Sequence, residues 1–184
     1  MKNFSTEETE SLTVLISQER LQERVLEIGS EISEAYDGRD PAVIAILKGS
    51  FIFAADLLRA ITISTSIDFM AISSYANQPK SGVVRITKDL EESITGRNVI
   101  LVEDIIDTGL AASYLMRVLR ERNPASLELC VLLDKSARRI IDLPIAYRGF
   151  EIPDAFVVGY GMDYQQRYRN LPYIATLKRK SEEN

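Results

Sequence analysis

The chain alternates between short unbroken apolar runs and longer stretches in which apolar residues recur every three or four positions. Residues 42–47 and 99–102 are of the first kind and rich in β-branched side chains, and residues 127–133 are apolar but for Glu128. Such runs predict parallel strands covered on both faces. From Ser17 to about Tyr36, Leu21, Val25, Ile28 and Ile32 share one helical face, with Glu and Arg on the other. This predicts a covering helix, capped by Ser17 and ended near Gly38. Residues 51–60 are apolar nearly all round and predict a buried helix, and a third helix is expected after Gly109, running to about Arg122. Residues 66–72 and 83–87 read as two further strands. Alternating strands and helices predict an α/β fold with a central, mostly parallel sheet flanked by helices. Beyond Arg148 the pattern breaks into short apolar pieces with Gly and Pro. They predict a small hood, formed mainly by residues from about 145 to 184, within a single domain that spans 1–184.

The polar residues that interrupt this pattern carry the chemistry. Glu103 and Asp104 follow the central apolar run, and Asp107, Thr108 and Gly109 form a turn before the helix that begins with Leu110 and Ala111. The carboxyl ends of strands are where open α/β sheets bind ligands. A turn of small residues entering a helix offers backbone N–H groups to an anion. Three carboxylates within five residues would repel a bare phosphate, so cations are expected between them. A sugar phosphate with free hydroxyls and a metal-bound pyrophosphate fits that combination. Lys48-Gly49-Ser50 repeats the strand, turn and helix plan, although neither a Walker A sequence nor a complete Gly-x-Gly-x-x-Gly is present. Residues 73–82 are polar, small or turn-forming, and long for a hairpin loop. They suit a lid.

Composition narrows the choices. With 184 residues, 46% hydrophobic and 27% charged, the chain can bury a sizeable core, and its net charge of −5 argues against nucleic acid as a partner. The single cysteine, Cys130, lies inside an apolar run and reads as a buried strand residue. The polar, acidic start gives no signal peptide and no apolar run has transmembrane length, so a cytoplasmic protein without a membrane partner is expected. The absence of histidine decides most. It excludes imidazole-ligated zinc, Ser-His-Asp triads and Cys-His pairs, leaving proton transfer to Asp, Glu, Lys or Tyr.

Val102-Glu103-Asp104-Ile105-Ile106-Asp107-Thr108-Gly109 resembles the phosphoribosyl pyrophosphate motif of the type I phosphoribosyltransferases. The similarity runs in order from about residue 40 to the C-terminus. It takes in Leu47 to Ser50, Ser74-Tyr75, Leu132 to Lys135, Phe150 to Tyr160, Asp163-Tyr164 and Arg169, and resembles the hypoxanthine-guanine members of the family. The resemblance implies that Asp107, Thr108, Gly109, Leu110 and Ala111 hold a ribose 5-phosphate. It implies that Glu103 and Asp104 take ribose hydroxyls and Mg²⁺, with Asp163 reaching a second Mg²⁺. Lys48, Gly49 and Arg169 would hold pyrophosphate, with a cis peptide often preceding the lysine. Lys135 would donate to O6 of a 6-oxopurine stacked on Phe156, Val157 and Asp163 would read its pyrimidine edge, and Ser74 and Tyr75 would belong to the lid. Asp107 is the expected general base, and a homodimer or homotetramer is implied. A non-catalytic nucleotide-sensing regulator of the same fold, or a xanthine-preferring enzyme, are the alternatives.

Ala111 departs from the family pattern, which commonly has threonine there. A hydroxyl lost from a bound anion costs roughly 1.5–3 kcal/mol. Ala111→Thr is therefore expected to lower the KM for phosphoribosyl pyrophosphate, and an unchanged KM in steady-state assays would show that the loop is not weakened.

Overall fold

The computed structural model describes residues 10–74 and 84–179. Six strands form the main sheet in the order β4-β3-β2-β5-β6-β7. β2 (Ala42–Leu47), β3 (Ser66–Ser74), β5 (Asn98–Ile106), β6 (Ser126–Asp134) and β7 (Tyr147–Glu151) run parallel, and β4 (Val84–Lys88) is antiparallel at the edge. Among the described residues three helices cover the sheet: α1 (Gln18–Ala35), α2 (Phe51–Ala60) and α3 (Leu110–Arg120).

The two faces of the sheet bury separate cores. Val43, Ala45, Ile100 and Val102 pack with Leu21, Val25, Ile28 and Ile32 of α1 and with Phe53 and Leu57 of α2. Ile44, Ile46, Val99 and Leu101 pack with Ala112, Leu115, Met116 and Leu119 of α3. Period-two alternation along each strand produces this division. Ser17 caps α1 as expected, its hydroxyl accepting from the Arg20 N–H at 3.4 Å. Cys130 is fully buried in β6, where burial raises its thiol pKa.

β2 marks a topological switch, because the chain leaves it for β3 on one side and β5 adds on the other. The crevice of an open sheet lies at such a point. It receives the loop after β2, which holds Lys48 and Gly49, and the segment after β5, which holds Asp107 to Ala111.

Three sequence expectations are corrected. β5 continues through Ile106, so Glu103 and Asp104 lie within the strand and not beyond its end. Its pairing with β6 runs from Asn98↔Ser126 to Ile106↔Asp134, and that ladder overrides the low strand preference of two acidic residues. Phe150 and Glu151 belong to β7 at the edge of the main sheet and not to the hood. The hood is a separate antiparallel sheet, β1-β9-β8, made from β8 (Val157–Val158), β9 (Ile174–Arg179) and β1 (Glu10–Ile16). Its third strand thus comes from the other end of the chain, where apolar Leu12, Val14 and Ile16 alternate with polar Ser11 and Thr13. Among the described residues no helix is long and apolar enough to cross a membrane.

Candidate active site

Two adjoining cavities open on the carboxyl rim of the sheet and share Asp104, Ile105 and Asp107. The first, about 270 Å³, is lined by Glu103 and by Thr108, Gly109, Ala111 and Ala112 of the turn into α3. The second, about 380 Å³, is lined by Lys48, Gly49, Lys135, Phe156, Val157, Asp163 and Arg169. Leu110 faces outward at 53% exposure and lines neither. Ser74 ends β3, and Tyr75 and the rest of the expected lid lie outside the described residues.

The first cavity has the features of an anion site. Gly109 caps α3 with φ +83°, a left-handed conformation that glycine adopts without strain. The first amides of α3 have no carbonyl to meet within the helix. The Leu110 N–H reaches the Thr108 hydroxyl at 3.4 Å, which leaves the N–H groups of Ala111 and Ala112, both on the cavity wall, for ligand oxygens. Nothing acidic from α3 opposes them, since its first turn holds no carboxylate.

Glu103 and Asp104 are successive residues of a strand, so their side chains leave opposite faces of the sheet. Leu101 packs on the α3 side and Val102 on the α1–α2 side; Glu103 accordingly lines only the first cavity, and Asp104, which lines both, turns toward the β2 loop. There its carboxylate lies so close to Gly49 that a Cβ on that residue would sit 1.7 Å from Oδ2. Only glycine lets the two loops meet. The Leu47-Lys48 peptide just before it is cis, as the resemblance implies.

Both carboxylates resist ionisation. Burial, then the neighbouring charge of Asp104, holds the Glu103 carboxyl well above the usual carboxylate range. Burial pushes Asp104 up to about 6 against the pull of the Asp104 and Ile105 backbone N–H groups and the Arg169 charge, and Asp163 raises it further. Among the described residues no group of three or more acidic or other metal-ligating side chains converges on one point. A cation here would be held by one or two carboxylates and completed by oxygens of a ligand, as Mg²⁺ commonly is at phosphate sites.

Opposite this rim, the turn after β8 supplies Asp163 and Arg169. Arg169 Nη2 lies 2.6 Å from Asp163 Oδ1, and its Nη1 donates to the Gly161 carbonyl at 2.7 Å. The Gln166 N–H donates to the other Asp163 oxygen at 2.8 Å. Both side chains are therefore fixed before any ligand arrives. Lys135, at the end of β6, is only 8% exposed, with its ammonium 3.7 Å from Asp154 Oδ1. Phe156 is 51% exposed on the second cavity and meets the Tyr164 ring edge-on at 5.8 Å between centroids. One flat face is left for a planar ligand. Val157 is buried beneath it.

Of the described site residues expected from the sequence, the structure brings together all but Leu110 and Ser74, which line neither cavity. The sequence reading missed Arg138. It lies in the single 3-10 turn Ser136–Arg138 after β6, with Nε 2.7 Å from Asp107 Oδ1. An arginine in a charged surface turn carries no pattern of its own, and only the tertiary fold sets it beside Asp107.

Comparison with known proteins agrees with this geometry. The phosphoribosyl transferase domain family matches residues 17–165. The hypoxanthine-guanine phosphoribosyltransferase of Bacillus subtilis (strain 168) is 49% identical over 166 residues, covering 90% of this chain and 92% of its own. That of Mycobacterium avium is 49% identical over 172 residues, covering 90% and 85%. A hypoxanthine phosphoribosyltransferase from Staphylococcus aureus has a TM-score of 0.88 at 43% identity over 94% of both chains. Given the matched domain, the identity over nine-tenths of its length and the shared fold, the chain belongs to the phosphoribosyltransferase family.

Proposed function

We propose that the protein transfers the 5-phosphoribosyl group of phosphoribosyl pyrophosphate to N9 of hypoxanthine or guanine, releasing pyrophosphate and forming the purine nucleotide. The relatives named for that activity support the substrate class. The single observation that carries the reading is the pair of cavities meeting at Asp104, Ile105 and Asp107. An anion cradle lies on one side of that junction, and an exposed aromatic face with a buried lysine lies on the other. A ribose placed there would span from its 5-phosphate to the bond being exchanged.

In the reaction the bond from the anomeric carbon to pyrophosphate oxygen breaks as the bond to N9 forms. Positive charge grows on the sugar and negative charge on the leaving group, and both must be met by groups already in place. The amides of the Asp107 to Ala111 turn hold the 5-phosphate. Lys48, the Gly49 backbone and Arg169 hold the pyrophosphate, and Asp163 keeps Arg169 aimed. Lys135 donates to O6, which selects an oxo over an amino group, because an ammonium has hydrogens to give and no lone pair to accept. Phe156 stacks on the base while backbone groups at Val157 and Asp163 read its other edge. Asp107 accepts the proton that leaves the imidazole ring as N9 attacks.

The residues fit a divalent cation. Buried carboxylates that resist ionisation are stabilised by a neighbouring cation, and Asp104, Glu103 and Asp163 are the residues that would hold Mg²⁺ together with substrate oxygens. Bound Mg²⁺ would neutralise charge on the leaving pyrophosphate. A cytoplasmic homodimer or homotetramer is part of the same proposal.

The test is a spectrophotometric assay with Mg²⁺, phosphoribosyl pyrophosphate and each of hypoxanthine, guanine, xanthine, adenine and uracil. Turnover is expected with hypoxanthine or guanine. In Asp107→Asn it should fall by roughly 10²- to 10⁴-fold, the usual worth of a positioned general base. Binding without turnover of any base would favour the sensing regulator instead.

The raised carboxyl pKa values give a second outcome. A group protonated more readily in the folded than in the unfolded chain destabilises the folded form as pH rises through that window, and the penalty persists above it. For Asp104 the window runs from the usual carboxylate range, near 4, to about 6. Asp104→Asn should therefore raise the ligand-free melting temperature at pH 8, by roughly 2–8 °C for a penalty of about 1–2 kcal/mol after solvent screening. The gain should vanish near pH 4. Turnover should fall in the same variant, and a melting temperature that drops at pH 8 would contradict the assignment.

A further inference from the structure

Arg138 stands between two groups to which the proposed reaction gives different tasks. Its Nε is 2.7 Å from Oδ1 of Asp107, and its Nη1 lies 3.2 Å and 3.3 Å from the two oxygens of Asp154. Asp154 Oδ1 is in turn 3.7 Å from the ammonium of Lys135. The charges alternate along Asp107, Arg138, Asp154 and Lys135, a chain that reaches from the phosphate turn to the purine site. Asp107 lies at one end to take a proton from the five-membered ring of the purine. Lys135 lies at the other to meet the oxygen on the six-membered ring.

The turn that carries Arg138 is held from behind. The fully buried Asp134 carboxylate has the Nε atoms of Arg139 and Arg148 at 3.3 Å and 3.1 Å. Arg139 also donates to the Leu143 carbonyl at 3.2 Å, and the Ser136 hydroxyl donates to the Glu151 carboxylate. This anchors both ends of the turn to β6 and β7. The Asp107 side chain is 46% exposed at the junction of the two cavities. Of its two oxygens, Oδ1 is buried beneath Arg138 without an aligned hydrogen bond, so charge alone attracts it there. Oδ2 is left as the oxygen that can turn to a ligand. An unaligned ion pair orients a carboxylate while drawing less on its lone pairs than a directed hydrogen bond does.

We propose that Arg138 is a positioning residue for Asp107, and that Asp154 ties its placement to that of Lys135. This rests on the reading of Asp107 as the proton acceptor. Arg138 itself touches no reacting atom. It fixes which carboxylate oxygen faces the purine, and the shared anchor keeps the acceptor and the O6 donor at a constant spacing. A purine bound against Lys135 therefore arrives in register with Asp107.

The test is a double-mutant cycle with Arg138→Met and Asp107→Asn, assayed with Mg²⁺, phosphoribosyl pyrophosphate and hypoxanthine. Arg138→Met should lower kcat by roughly 10- to 100-fold, a fraction of the full worth of the base, while the KM for phosphoribosyl pyrophosphate changes little. In the Asp107→Asn background the same substitution should cost about threefold or less, since residues acting as one unit are not additive. Arg138→Lys, which keeps the charge, should recover most of kcat. Asp154→Asn, with Arg138 intact, should raise the KM for hypoxanthine and lower kcat less. Equal losses in both Asp107 backgrounds, or an unchanged kcat in Arg138→Met, would overturn the inference. So would a loss of kcat matched by a falling melting temperature and shared by Arg138→Lys, because that is the mark of a structural role. Wild-type protein that turns over no purine would sink the functional reading instead, which keeps the two failures apart.

Discussion

The placement of a buried Glu103 and a half-buried Asp104 in the rim of the central strand is the constraint on which the rest of the site depends. Carboxylates inside a sheet cost free energy through lost hydration, and the charge of Asp104 beside Glu103 and of Asp163 beside Asp104 adds to it, which is why both hold protons more readily than exposed acids do. β5 keeps them there because its ladder to β6 continues past them to Ile106. The neighbouring loop yields as well: Gly49 has no side chain, and the space it vacates is where the Asp104 carboxylate sits. A site built this way is less stable on its own, and the cation and sugar hydroxyls of the proposed reaction would complete it. Stability is given up at the position where the reaction needs charge.

Much of this was legible in the chain because local pattern and tertiary role agree. The apolar runs became the strands they predicted, since their faces are covered by α1 and α2 on one side and by α3 on the other. Ser17 capped its helix, and Gly109 took the left-handed conformation the turn requires. The misses share one physical cause. Glu103 and Asp104 lie in a strand because a neighbouring strand pairs with them, and no local preference shows that. β1 carries a short alternation, but its place in the hood comes from pairing with β9, some 160 residues away, which no local pattern supplies. Phe150 resembled a hood residue because the segment is short and follows a glycine, whereas its pairing with Leu133 on β6 assigns it to the main sheet.

The site was legible to the same degree. Asp107, Lys135, Asp163 and Arg169 occupy motifs that a reader can recognise, and they converge on the shared cavities. Arg138 belongs to no motif. Its importance comes from distance alone, as the partner of Asp107, and from the Asp134, Arg139 and Arg148 cluster that holds its turn in place. The hood contributes in a comparable way. The Tyr160 hydroxyl donates to Asp56 of α2 at 2.6 Å, which ties the segment carrying Asp163 and Arg169 to the helix that follows Gly49. The contact links the two segments that bring Gly49 and Arg169 to the second cavity.

In the proposed reaction the rim carboxylates are completed jointly by cation and sugar diphosphate. The most direct measurement is the melting temperature at pH 8 of protein alone, with Mg²⁺ alone, with phosphoribosyl pyrophosphate alone, and with both. A small rise is expected with either one and a rise well above their sum with both, because each completes the other's coordination. Strictly additive shifts, or a full shift with phosphoribosyl pyrophosphate in the presence of excess chelator, would contradict it.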